Sequence, residues 1–596
     1  MKHAIHCLSA MIPLLWLGLQ AGPALAGTAA EPATLTSYAT FHSLGFEYRM
    51  NGDDDHDAVC RVEYRKQGSG DWKEFLPLFR IDYQPPEPVN GEAAPFNGFG
   101  GSILFLEPGT TYEVRLTLTD PDGGSTTRTL AVATRALPQK PAGGRMLHVV
   151  PGAGGGSGTA ADPFQGIPAA QAAARPGDIF LLHQGRYTGS GGQAEVEFRT
   201  GGTAGAYIVW QAAGDGEVIM EKVRIAADYL WLEGVHVAGH PEVADEFGLL
   251  TYDAPRGVVI QGNRFTDFNY AIALNHGGED WWIVGNTIIG DKDVIGVEDG
   301  PPSFRGEGIE LEHTSGHTIA WNSISRVADG ISYPHRNCDI FGNDIFDVTD
   351  DGIEPDYGYA NIRIWQNRIS NARHAGISFQ PMNGGPWYII RNQVAAGTEA
   401  LKLRQSSRAA ILHNLFVGWK GVQAYGAEWL LHFQSNNNLW VSVTDRYVWE
   451  NMVGGSAGWR TALDYDGFDW ADSTYAFKWG AENRYTSLEA FQSATGLQPH
   501  GLHIRRQDCF AVFDIPAAPP ASMPFQYMTL KEGCNAVDSG TVLAGINEDF
   551  RGSAPDLGPY ELGAPLPRYG PVNNSSGPTT SGTLNPASFA LLLLRR

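Results

Sequence analysis

The chain has 596 residues and a formal net charge of −23 at pH 7, and 43% of its residues are hydrophobic. At about 150 residues per domain, this length predicts two to four structural units. Nucleic acid is not an expected partner, because a phosphate-binding surface needs a basic stripe and this chain is acidic. The 73 glycines, against a usual share of roughly 7%, indicate many tight turns and favour an all-β architecture.

Residues 1–26 have the pattern of a secretory signal peptide, with an apolar run followed by Ala24-Leu25-Ala26 as a cleavage site. We therefore expect export, with a mature protein that is secreted or held at the cell surface. Cys509 and Cys534 lie in one C-terminal segment and could pair in such a compartment. Cys338 is expected to be a buried free thiol.

Residues 32–137 are predicted to form a small β-sandwich. The stretch from Leu106 to Leu116 reads LEPGTTYEVRL and contains Tyr112. It resembles the tyrosine corner of fibronectin type III domains, in which a Tyr hydroxyl closes a loop onto upstream backbone. The resemblance implies a spacer or a platform on the substrate side, not a catalytic domain.

Residues 145–450 are predicted to form a right-handed parallel β-helix. An Ala-rich helical stretch up to Ala174 resembles the capping helix of pectate-lyase-like β-helices and would cover the open end of the solenoid. Beyond it, one Asn recurs in each repeat, mostly at steps of one coil, and one longer step holds an insertion at 291–305. These residues are Asn263, Asn286, Asn322, Asn343, Asn367, Asn392, Asn414 and Asn438. A ladder of Asn side chains would satisfy the backbone at one corner.

Each repeat also carries an earlier strand that begins with an inward aliphatic residue. The aligned quartets are 272–275, 309–312, 331–334, 353–356, 377–380 and 401–404. Because side chains alternate along a strand, the second and fourth residues of each quartet are expected to face solvent. One sheet face should therefore gather Asn275, Glu310, Glu312, Glu354, Asp356, Gln380, Lys402 and Arg404.

An Asn on one coil and Glu-x-Glu on the next resembles the calcium triad of the polysaccharide lyase family that contains chondroitinase B and alginate lyases. The matching residues are Asn275, Glu310 and Glu312. The resemblance implies Ca²⁺ and β-elimination of a uronate-containing polysaccharide. The sequence departs from the family at the position five residues after Glu312, where His317 stands in place of the basic Lys.

Lys402 is therefore the first candidate for the base, since the like charge of Arg404 would lower its pKa. His335 is the second candidate. The expected substrate-binding residues are Arg336, Tyr357, Tyr359, Gln380 and Trp387, with the aromatic rings stacking on sugars.

Two other functions remain open. An inverting glycoside hydrolase would use Glu310 with Glu354, or Glu312 with Asp356, as acid and base, and a retaining enzyme would use closer pairs. The Asp350-Asp351 turn would add a third acid. A non-catalytic adhesin would explain export and the sandwich without any reaction.

Residues 451–567 are expected to cap the β-helix, and 568–596 to form a linker and an apolar tail that ends in two arginines. This order resembles bacterial C-terminal sorting tails, although a frayed tail fits equally well. The apolar stretch 587–594 would extend only about 12 Å as a helix, too short to cross a bilayer, so no membrane span is expected. The mature protein is expected to be a monomer that meets a polysaccharide.

Overall fold

The computed structural model describes residues 27–571 apart from short gaps. The gaps are 84–95, 241–242, 244–245, 295–304, 381, 383, 405, 420–431, 445–446, 452–459, 472–474, 481–482 and 524. The predicted signal peptide at 1–26 and most of the predicted tail lie outside the described residues. None of the helices within these ranges has the length and apolar character needed to span a membrane.

The N-terminal domain is a seven-stranded antiparallel sandwich. Its strands β1 to β7 are Glu31–Ala39, Leu44–Asn51, Val59–Lys66, Lys73–Tyr83, Phe96–Ile103, Thr111–Thr119 and Thr126–Ala133. They are ordered β1-β2-β5-β4-β3-β6-β7, and β4 pairs first with β3 and then with β5. The Tyr112 hydroxyl accepts a hydrogen bond from the Glu107 N–H at 2.9 Å, which is the loop closure that the tyrosine-corner motif predicts.

A right-handed parallel solenoid of about ten turns follows, as predicted, and its coils build three long sheets. Sheet A contains Met146–Val150, Phe164–Gln165, Ile179–Leu182, Ile208–Ala212, Leu230–Glu233, Val259–Gln261, Trp282–Val284, Thr318–Ala320, Asp339–Phe341, Ile362–Trp365, Trp387–Ile390, Ala409–Leu412, Phe433–Asn436 and Ala462–Asp464. Sheet B contains Gly185–Arg186, Val218–Met220, His236–Ala238, Arg264–Thr266, Thr287–Ile289, Ser323–Ser325, Asp344–Val348, Arg368–Ala372, Gln393–Ala396, Leu415–Gly418, Leu439–Ser442, Gly467–Trp470 and Leu502–His503. Sheet C contains Glu195–Phe198, Lys222–Ile225, Phe247–Thr251, Tyr270–Ala273, Glu307–Ser315, Asp329–Arg336, Ile353–Glu354, Ala375–Phe379 and Glu399–Leu403.

The remaining elements lie at the two ends of the solenoid. The helix Ile167–Ala173 packs at the first coil, where the capping helix was predicted. A short 3-10 turn occupies Ser190–Gly192. Towards the other end stand the small sheet of Trp449–Asn451, Phe477–Trp479 and Arg484–Tyr485 and the helices Leu488–Thr495 and Arg506–Cys509.

The asparagine ladder at the corner between sheets A and B is confirmed. The backbone N–H and the Nδ2 of Asn343 both donate to Oδ1 of Asn367, at 3.1 and 3.0 Å, and the same pair of bonds recurs along the ladder. The ladder ends on an aspartate that the sequence pattern did not predict, since Asn438 donates to Oδ1 of Asp466 at 2.8 Å. Burial raises the pKa of Asp466 to about 6, against hydrogen bonds from Ser435 and Asn438 that lower it.

Two layers cover the outer faces of sheets A and B. The sandwich packs on sheet A, where the Tyr388 hydroxyl accepts from the Ser102 N–H at 2.8 Å. The C-terminal segment lies along sheet B as well as beyond the last coil, and it contains a Cys509–Cys534 disulfide, a pairing that the sequence left open. Cys338 is a buried free thiol, as predicted. Sheet C and the turns that follow its strands carry the predicted site residues, except Trp387, which lies in sheet A.

Replacing Asn367 with Ala should destabilise the solenoid, because two buried donors of Asn343 lose their acceptor. At about 1–3 kcal/mol for each buried unsatisfied group, the thermal midpoint should fall by several degrees. Differential scanning calorimetry would measure it, with the exposed Asn51→Ala as the control that leaves the midpoint unchanged. Equal midpoints for both variants would contradict a stabilising ladder.

Candidate functional site

The predicted register of sheet C is confirmed. Inward aliphatic residues pair from coil to coil in one column, formed by Ile272, Ile309, Ile331, Ile353, Ile377 and Leu401. The next residue of each strand therefore stands in a parallel column on the outward face, and we call it the outward column. It consists of Ala273, Glu310, Ser332, Glu354, Ser378 and Lys402.

This outward face is largely buried, so the expectation that it faces solvent is wrong. Asp356 is 2% exposed, Lys402 3% and Glu310 8%, whereas Glu354 is half-buried. Charges removed from water must be paired or neutralised by a proton, because an isolated ion is costly in a low-dielectric site. The chemistry of this face follows from that requirement.

A second acidic column stands two residues before the aliphatic column. It was not predicted from the sequence. The signal is a repeated acid-Gly-Ile tripeptide, which places Glu307, Asp329 and Asp351 on successive coils. The glycine between acid and Ile is required by close packing: a Cβ at Gly330 would lie 2.3 Å from the carbonyl oxygen of Gly352. The coils therefore approach closely at this point and bring the acids together.

Lys402 joins the two columns. Its Nζ lies 2.9 Å from Oδ2 of Asp351, and both side chains are buried. Oδ1 of Asp351 accepts from the Ala375 N–H at 2.8 Å and lies 3.4 Å from Nδ1 of His374. His374 also contacts Oδ1 of Asp350 at 3.0 Å. Two cationic side chains thus hold two aspartates in one network.

This network corrects the expectation that Lys402 is a base of lowered pKa. Burial alone would lower the pKa of Lys402, but the charge and the hydrogen bond of Asp351 outweigh it and raise that pKa above its usual value. Burial would raise the pKa of Asp351, yet Lys402 and His374 bring it down to about 2. Hydrogen bonds to Asp350 and Asp351 raise the pKa of His374 to about 10. Lys402 and His374 therefore hold their protons at neutral pH.

The other acids of this face have raised pKa values, because burial outweighs the nearby cations. Burial, with repulsion from neighbouring carboxylates, raises the pKa of Glu307 to about 9 and that of Glu354 to about 8. Burial and the charge of Glu312 raise the pKa of Glu310 to about 7. Asp356 is hydrogen-bonded to Glu354, and its pKa lies well above the usual value, chiefly through burial. Glu307 and Glu354 are thus mostly protonated at pH 7.

The predicted calcium triad is spread over different environments. Asn275 is exposed in the turn after Tyr270–Ala273, and Glu312 is exposed at a residue with φ of +44°. Glu310 is buried and hydrogen-bonded to Glu312. Asp350, Asp351 and His374 form a compact group, with candidate ligand atoms within 4.8 Å of one another.

Several predicted substrate-binding residues are structural. Trp387 is an inward core residue of sheet A, fully buried, and its Nε1 donates to the Ser407 carbonyl at 2.7 Å, so its assignment to sugar stacking is wrong. Arg336 forms an ion pair with Glu47 of the sandwich at 3.2 Å and lies 4.6 Å over the ring of Tyr359. The assignment of Arg336 to substrate binding is therefore replaced by a role in the domain interface.

His335 and Tyr359 belong to the same buried contact. Their rings stack at 5.7 Å, and they are 8% and 4% exposed. This burial leaves neither ring a free face of the size that a sugar needs, which weakens His335 as a base. Arg404 and Tyr357 remain exposed on the predicted face. Gln380 is half-buried, and its Oε1 is buried without a hydrogen-bond partner among the described residues.

Comparison with known proteins finds one family on this part of the chain. Residues 296–441 match the family described as periplasmic copper-binding protein (NosD). The match covers 146 of the 596 residues, about a quarter of the chain, and includes the coils that carry both acidic columns. No curated protein is detectably similar to the chain.

The raised pKa values predict a pH dependence of stability. Glu354 titrates near 8 in the folded protein and at about 4.3 in an unfolded chain, so the folded state binds more protons between these values. The contribution of Glu354 to the free energy of unfolding is fully present below about pH 4.3 and is lost as the pH rises through 8. Glu354→Gln, which keeps the shape of the protonated acid, should match the wild-type thermal midpoint at pH 5 and exceed it at pH 9.

Calorimetry at both pH values would measure this difference, with the exposed Glu532→Gln as the control that shows no trend. A Glu354→Gln midpoint that differs from wild type by the same amount at pH 5 and pH 9 would show that Glu354 is ionised throughout.

Proposed function

We propose that this protein is an exported enzyme that cleaves a polysaccharide by acid–base catalysis on the outward face of sheet C. The observation that carries the proposal is a half-buried carboxyl, Glu354, held protonated at neutral pH beside ionised Asp351 and charged Lys402. Groups with pKa values pushed apart in one cleft are the usual signature of acid–base chemistry.

In this proposal Glu354 donates its proton to the glycosidic oxygen as the sugar leaves. Glu310 stands on the same column two coils away, at a backbone distance of about 9–10 Å, and its pKa of about 7 suits a general base that activates water. From that backbone distance, Glu side chains can reach the separation of roughly 6.5–9.5 Å that is typical of inverting glycosidases. Asp356 hydrogen-bonds to Glu354 and positions it.

The surroundings suit a sugar chain. Arg404 and Tyr357 are exposed on the same face and offer a charged donor and an aromatic ring. The buried Oε1 of Gln380 and Oγ of Ser332 lack partners among the described residues, and a sugar hydroxyl would satisfy such groups. Export is supported by the predicted signal peptide and by the periplasmic description of the matched family.

Hydrolysis is preferred to the β-elimination implied by the lyase resemblance. Elimination needs a base for the sugar C5–H, whereas Lys402 and His374 both hold protons at neutral pH. An acidic polysaccharide remains the proposed substrate class, because the exposed Arg404 offers a positive charge on the site face. Calcium is not required by this mechanism.

A second candidate function is metal binding, which the family match favours. The family is described as copper-binding, and its matched range includes Asp350, Asp351 and His374. Imidazole and carboxylate are ligands that Cu²⁺ accepts. Bound copper would have to displace the proton of His374 and weaken its hydrogen bonds to the two aspartates.

Loss of the proton donor should abolish cleavage. Glu354→Gln is expected to lower the rate of reducing-end formation from a panel of polyuronates and neutral glycans by about 10²–10⁴-fold, while Glu532→Gln keeps it. A matching rise in absorbance from a new C=C bond would instead show elimination. Equal rates for the two variants would refute the role of Glu354.

The metal candidate has its own test. Titration calorimetry with Cu²⁺ should show tight binding that His374→Ala removes and the exposed His500→Ala keeps, if the protein is a copper binder. Tight His374-dependent binding, with no cleavage of any glycan, would favour the second candidate over the first.

A further inference from the structure

A pocket of about 670 Å³ lies away from sheet C, between the solenoid and the C-terminal segment. Its solenoid wall is the corner between sheets A and B. At this corner each coil has one residue of positive φ just before the ladder Asn, including Trp321 at +50°, Gly342 at +64° and Arg391 at +55°. While the Asn turns inward, the preceding residue points outward and meets the pocket.

The other wall is the segment 549–568, which the structure anchors on both sides of the pocket. The Gly570 N–H donates to the Gly342 carbonyl at 2.9 Å, and His413 contacts the Gly558 carbonyl at 3.1 Å. The Tyr560 hydroxyl, which also lines the pocket, lies 2.8 Å from that of Tyr569. The pocket is therefore held open by fixed contacts.

Arg391 is the polar group that this pocket leaves unsatisfied. Its Nε is buried and has no hydrogen-bond partner among the described residues, and its Nη2 donates only a long bond of 3.4 Å to the Ile546 carbonyl. Arg391 as a whole is half-buried, and Asp549 and Glu561 already act on its charge. Its buried Nε–H is costly without an acceptor, so a ligand with an anionic or strongly polar oxygen would be stabilised here.

The remaining lining has the composition of a sugar site. Asp549 and Glu561 offer acceptors for hydroxyl groups, and Arg551 and Arg568 add positive charge. The three arginines outnumber the two acids, which is notable in a chain of net charge −23. The volume lies within the roughly 300–1,000 Å³ of pockets that hold small organic ligands.

We propose that this pocket is a second, non-catalytic binding site for an oligosaccharide that carries a carboxylate, with Arg391 pairing the acidic group. The anchored segment 549–568 closes the site from outside the solenoid. Such a site would hold a polymer on the protein while another part of it is cleaved. Its existence does not depend on catalysis at Glu354.

Titration calorimetry tests the proposal, with trigalacturonate as the acidic probe and galactotriose as the neutral one. The Glu354→Gln protein serves as the background so that no turnover disturbs the heat. Adding Arg391→Gln should weaken one trigalacturonate binding event by roughly tenfold or more. The exposed Arg505→Gln is the matched control and should leave it unchanged. Galactotriose should bind at least about tenfold more weakly than the acidic probe.

A second variant keeps the test independent of Arg391. Ala564→Trp would fill the pocket from the C-terminal wall and should remove the same event. Unchanged binding in both variants, or equal binding of the neutral probe, would overturn the proposal. Failure of catalysis alone would leave this binding intact, so the two proposals can be told apart by comparing activity and titration.

Discussion

The register of sheet C is the constraint on which the rest of this molecule depends. Every coil must place an aliphatic residue inward at one position, from Ile272 to Leu401, because the core of a parallel solenoid is continuous. The alternation of side chains then leaves no choice for the next residue, which must face outward. Stacking at about 4.8 Å turns single acids of separate repeats into a column. The site therefore follows from the core packing that each coil repeats.

Because the column is buried, its carboxyl groups must be either ion-paired or protonated. Lys402 and His374 neutralise Asp351 and Asp350, and they do so because their own pKa values rise in the same contacts. Glu307 and Glu354 keep their protons instead, because burial and repulsion from neighbouring carboxylates outweigh the nearby cations. One cluster therefore contains both ionised and neutral acids at one pH, which is the condition for a proton donor and an acceptor to work side by side.

Much of the fold could be predicted because its signals are local: the Asn repeat, the Ile alternation and the motif around Tyr112 each lie within a few residues. The site was harder. Lys402 and Asp351 are 51 residues apart, and only the coil geometry brings them into contact. Trp387 was misassigned because its strand belongs to sheet A, where Trp387 and Ile389 both point into the core. The acid-Gly-Ile repeat is visible in the sequence. That it brings acids of successive coils together follows only from the close approach of the coils at the glycine.

The central claim is that Glu354 carries a proton at neutral pH in the folded protein. Infrared difference spectroscopy between the wild type and Glu354→Gln at pH 7 tests it directly, because a protonated carboxyl and a carboxylate have separate C=O bands. We expect the substitution to remove a protonated-carboxyl band, and this band to fade in the wild type as the pH is raised above 8. Loss of a carboxylate band instead, with the protonated-carboxyl region unchanged, would contradict it.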